Sequence, residues 1–67
     1  MKLLDVVALT EDLPQKALHK GQVGTIIEQL APQVYEVEFS DLDGKTYATA
    51  AVPETLLIRL LHEPAPA

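Results

Sequence analysis

Val34–Ser40 reads VYEVEFS, with Tyr35, Val37 and Phe39 alternating against Glu36, Glu38 and Ser40. A period of two is that of an extended strand with one packed face and one wetted face. Asp41-Leu42-Asp43-Gly44 follows, and a glycine at its end suits the positive φ that closes a hairpin. Lys45–Val52 (KTYATAAV) then returns as a strand whose small residues Ala48, Ala50 and Ala51 fit a tight interior. Upstream, the β-branched run Asp5–Leu9 (DVVAL) predicts a first strand, and Gln22–Leu30 (QVGTIIEQL) a second. Gly24 inside that second strand marks a bend, a bulge or close approach of another segment. Pro32 cannot donate to a ladder, so Ala31-Pro32-Gln33 reads as a turn.

Between the first two strands, Thr10–Lys20 (TEDLPQKALHK) is polar apart from Leu13 and Leu18. Pro14 biases Leu13 to extended geometry, which predicts a long loop pinned by two leucines rather than a helix. At the other end, Pro53–His62 (PETLLIRLLH) admits two readings. Leu56, Leu57, Leu60 and Leu61 fall on one helical face, but four strands alone leave a barrel unclosed. The expectation is therefore a 3₁₀ turn at Pro53–Thr55 and a short strand Leu57–Leu60. The predicted fold class is all-β: a small five-stranded SH3-like barrel, with a long first loop and a 3₁₀ turn before the last strand. Its expected core joins Tyr35, Val37 and Phe39 to Val7, Leu9, Val23, Ile26, Ala48 and Ala50.

At 67 residues the chain is one domain, expected over 1–62, with a flexible tail at 63–67. A barrel this small needs almost every inward side chain for its core, which leaves no interior for a deep catalytic cleft. A surface function and no enzymatic activity are expected. There is no cysteine, hence no disulfide framework and no thiolate nucleophile. No apolar run approaches the roughly 20 residues that span a bilayer, and Asp5 interrupts the start of the chain where an export signal would be apolar. A cytoplasmic location without membrane contact is the expectation.

Nearly the whole chain, residues 2 to 60, resembles a family of short uncharacterised bacterial proteins, a domain-of-unknown-function family. The resemblance is carried by LLDVVALTEDLP at Leu3–Pro14, KGQVGTIIE at Lys20–Glu28, YEVEF at Tyr35–Phe39, the D-x-x-G turn at Asp41–Gly44 and the closing apolar strand. It implies the barrel and no established activity; an association of such proteins with toxin-like partners implies a neutralising or adaptor role. Lys20–Glu28 also resembles the KOW motif of ribosomal and transcription-elongation proteins. That second likeness implies RNA contact through the basic residues Lys16, His19 and Lys20.

Charge weighs against the RNA reading. The net charge is −5, with two basic against six acidic residues in 31–67 and three against four in 1–30. Nucleic-acid affinity requires several phosphate neutralisations, and one Phe with two Tyr, of which Tyr35 and Phe39 read as core, make a poor stacking platform. Instead, Glu36, Glu38, Asp41 and Asp43 place four acids within eight residues, suited to steering a basic protein. They do not form a calcium loop: its glycine comes five residues after the first acid, whereas Gly44 comes three after Asp41. His19 and His62 stand too far apart in sequence to suggest a metal pair, and no cofactor is expected. Leu56–Leu61 holds more large aliphatics than one strand can bury on one side. The outward members of Leu57–Leu61, Leu57, Leu60 and Leu61 among them, are therefore expected to meet a protein partner, either a basic protein or a second copy.

Overall fold

The computed structural model describes residues 1–41 and 43–60. Five strands, β1 (Val6–Leu9), β2 (Val23–Ala31), β3 (Val34–Ser40), β4 (Thr46–Pro53) and β5 (Leu57–Arg59), form one antiparallel sheet in the order β4-β3-β2-β1-β5. The alternating segment is a strand over the very residues expected, its inward Tyr35, Val37 and Phe39 all buried. A two-residue turn at Pro32 and Gln33 joins β2 to β3, where proline's missing N–H is harmless. The closing segment is a 3₁₀ turn at Glu54–Leu56, one residue later than expected, followed by the short strand β5. Pro53, at ψ 144°, enters that turn extended. The expected tail 63–67 lies outside the described residues, as do Leu42, Leu61 and His62.

One core fills the sheet. Val7, Leu9, Leu18, Ile26, Tyr35, Val37, Phe39, Ala50, Val52 and Leu57 are buried, with Leu13, Ala48 and Leu56 packed against them. Each large aliphatic or aromatic side chain removed from water contributes about 1.5–3 kcal/mol. The long first loop supplies part of this core. Leu13 and Leu18 bridge one another through paired backbone hydrogen bonds of 2.8 and 3.1 Å, and Leu18 is sealed inside. Between them the chain makes a 3₁₀ turn over Pro14–Lys16, absent from the sequence expectation, which ends on Ala17 in the left-handed region at φ 55°.

Three expectations need correction. Ala51, expected in the interior, is exposed, because alternation from the buried Ala50 and Val52 turns it outward. Val23 is 45 % exposed instead of buried. The inward position beside it belongs to Gly24, which lies opposite Val7 on β1 and Phe39 on β3. Alternation therefore turns Val23 and Thr25 outward. Conversely Leu57, expected to face a partner, is buried at 6 % because it pairs with Leu9 and shares its inward direction.

Candidate interaction face

The outer face of the sheet can be built row by row from strand register. Ile58 on β5 lies opposite Ala8 on β1, which lies opposite Val23 on β2. Ile58 is 54 % exposed, and Ala8 lies covered between its neighbours. One step along, Val6 faces Thr25, then Glu38 on β3 and Thr49 on β4, while the Leu60 N–H reaches the Val6 carbonyl at 2.8 Å. Leu60 is half-buried at the margin of this apolar strip.

The next row is acidic, and a bulge makes it so. Ile26 pairs with Val37, yet Glu28 pairs with Glu36, so Ile27 is an extra residue on β2. Without it, Glu28 would share the inward direction of Gly24 and Ile26. The added residue reverses the alternation and delivers Glu28 to the outer face, directly across from Glu36. Like charges directly opposite one another on a sheet are unfavourable. Glu38 stands two residues along on the same side of β3, so three carboxylates border the apolar strip.

The other two acids of the expected cluster have a different job. The Asp41 carboxylate accepts the Asp43 N–H at 2.9 Å and the Lys45 N–H at 3.0 Å, while its carbonyl accepts the Gly44 N–H at 3.0 Å. Asp41 thus holds the β3–β4 turn together, as a short acceptor side chain does in such turns. Asp43 is exposed at its tip. Structure therefore divides the four acids into a face pair and a turn pair, and adds Glu28 to the first. Val23 and Glu28 were missed by sequence reasoning, whereas Ile58 lies within the stretch Leu57–Leu61 whose outward members were expected to face a partner.

Lys16, His19 and Lys20 are all exposed on the first loop. They share it with Glu11 and Asp12, and Asp12 accepts the Lys20 backbone N–H at 2.8 Å. The His19 N–H is taken by the Gln22 side-chain oxygen. This is a mixed-charge loop rather than a basic surface.

An open cleft of about 330 Å³ is lined by Met1, Lys2, Asp5 and Arg59. Its opposite charges answer each other: Arg59 Nε lies 3.6 Å from Asp5 Oδ2, which also accepts the Lys2 N–H at 2.9 Å. The Tyr35 hydroxyl, at the end of the core, lies 3.4 Å from both Glu54 Oε1 and the Met1 carbonyl. Burial, with the nearby Glu54 carboxylate second, pushes the Tyr35 phenol above its ordinary pKa of 10.0. The unfolded chain therefore releases this proton first, so the stabilisation is complete below pH 10.0 and is lost as pH rises toward the folded value. In a Tyr47→Phe background, denaturant midpoints should fall as pH climbs above 10, and adding Tyr35→Phe should flatten that slope. A slope unchanged by Tyr35→Phe would assign it to other groups.

A family model described as "Domain of unknown function (DUF4926)" matches residues 3–59, and the chain belongs to this family. Neither the curated proteins nor the solved structures yield a match.

Proposed function

We propose that this DUF4926 domain is a non-enzymatic interaction module that docks a basic protein partner, in an adaptor or neutralising role, on the outer face of its sheet. The strand order, the long first loop and the 3₁₀ turn before β5 support reading the fold as an SH3-like barrel. The observation that carries the functional reading is the outer-face register, which sets Ile58, Ala8 and Val23 in one apolar row and borders it with Glu38, Glu36 and Glu28. Apolar burial supplies affinity in such an arrangement, while the charged border sets orientation and encounter rate. Opposed Glu28 and Glu36 raise the gain further, because a Lys or Arg placed between them relieves a repulsion already present in the free domain.

The test is capture from the native host by immobilised wild-type chain, beside Ile58→Lys and the double variant Glu36→Lys/Glu38→Lys. A basic protein retained by wild type and lost with both variants is the expected result. In parallel, mixed-sequence RNA at about 100 mM salt should show no saturable binding in the micromolar range. Saturable RNA binding abolished by Lys16→Glu with Lys20→Glu would replace this reading by the KOW-type one.

A further inference from the structure

The two edges of the sheet are built differently. β5, at one edge, has three residues and carries Arg59. Short length and charge are the usual protections of an edge against pairing with another chain. β4, at the other edge, has eight residues, TYATAAVP, none of them charged. Proline stands only at its last position. Among the described residues nothing pairs with its outer side.

Backbone register shows which groups that edge offers. The Glu54 N–H donates to the Gln33 carbonyl at 2.8 Å, which makes those two residues a hydrogen-bonded pair across β3 and β4. Such pairs recur every second residue in an antiparallel ladder. Val52 and Ala50 therefore turn their N–H and C=O groups to β3, and Ala51 and Thr49 turn theirs to the open edge. Both of these residues are exposed, and among the described residues no strand pairs with their outer side.

We infer that the free edge of β4 pairs antiparallel with β4 of a second copy, joining two sheets about a two-fold axis. The charge pattern favours a second copy as occupant. β4 is neutral throughout but flanked by Lys45 before it and Glu54 after it. Two-fold antiparallel pairing sets the start of one strand beside the end of the other, which brings Lys45 of each copy toward the partly exposed Glu54 of the other, whose Oε1 also lies 3.7 Å from the Met1 ammonium of its own chain. The acidic faces do not oppose this. Glu38 of the two copies would lie three strand spacings apart, about 14 Å, beyond the ~8 Å screening length at physiological ionic strength. Small side chains at Thr49 and Ala51 leave the approach unobstructed.

Sedimentation equilibrium of the full chain from about 1 to about 500 µM reads the proposal directly, because a dimer is populated by mass action. Wild type should show a monomer–dimer equilibrium. Ala51→Pro should raise the dissociation constant at least tenfold while keeping the fold, since the N–H it removes lies outside the β3–β4 ladder. Ala51→Lys serves the same purpose should the proline variant lose its circular dichroism signature. A chain monomeric throughout the range would overturn the inference and leave the edge to an extended segment of another protein. So would a dimer that both variants leave unchanged.

Discussion

Gly24→Ala should lower stability by about 2–3 kcal/mol, the upper part of what overpacking a filled interior costs. A Cβ at residue 24 would lie 2.6 Å from Val37 Cγ1, 2.8 Å from the Glu38 carbonyl oxygen and 3.0 Å from Phe39 Cδ1. The Val37 methyl could rotate aside only into a core where Val37 and Phe39 are fully buried. The Glu38 oxygen cannot yield without disturbing the β2–β3 ladder. Domains of this size hold about 0.05–0.15 kcal/mol per residue, so the loss is a large share of the whole. Gly21→Ala is the control. It sits at φ +91° with nothing within 4 Å of the added carbon, so only backbone strain is imposed, and about 1 kcal/mol is expected. Urea midpoints by circular dichroism separate the two; equal shifts at both positions would mean that close approach at Gly24 is not what requires the glycine.

The same glycine explains where sequence reasoning succeeded and where it stopped. At residues 35–40 the direction of each side chain is written in its own chemistry, and the structure follows it residue by residue. On β2 the inward position is held by a residue with no side chain, so the apolar Val23 beside it is the natural candidate for burial. Its actual direction depends on Phe39 filling the space over Gly24, a tertiary fact. The bulge at Ile27 is equally silent: Ile26 and Ile27 are the same residue type, and only pairing distinguishes the ladder member from the extra one. Since that bulge sends Glu28 outward, one third of the acidic border could not be read in advance. The C-terminal leucines were readable as surplus but not as a direction. Pairing of Leu57 with Leu9 decides it, sending Leu57 inward and leaving Ile58 as the exposed large aliphatic of β5.

Leu18→Ala should cost about 3 kcal/mol, although the residue belongs to a loop. Truncation of a buried leucine loses both its transfer free energy and the packing around the cavity left behind, which together run to about 2–5 kcal/mol. Leu18 is among the largest fully buried side chains of the protein, beside Phe39 and Leu9. It is also fixed from behind: its N–H donates to the Leu13 carbonyl at 3.1 Å, its carbonyl accepts the Leu13 N–H at 2.8 Å, and Ala17 before it is held in the left-handed region. Collapse of the loop into the vacated space would break that pairing, so little relaxation is available to soften the loss. The variant discriminates between two roles for residues 10–22. If the loop is a lid lying on an otherwise self-sufficient sheet, Leu18→Ala shifts the urea midpoint slightly and leaves the unfolding slope unchanged, and Lys16 and Lys20 move without consequence for the strands. If Leu18 is a core residue delivered by a loop, the whole sheet melts earlier in a single transition, reported alike by far-ultraviolet dichroism and by the emission of buried Tyr35. Coincident early transitions are the expected outcome.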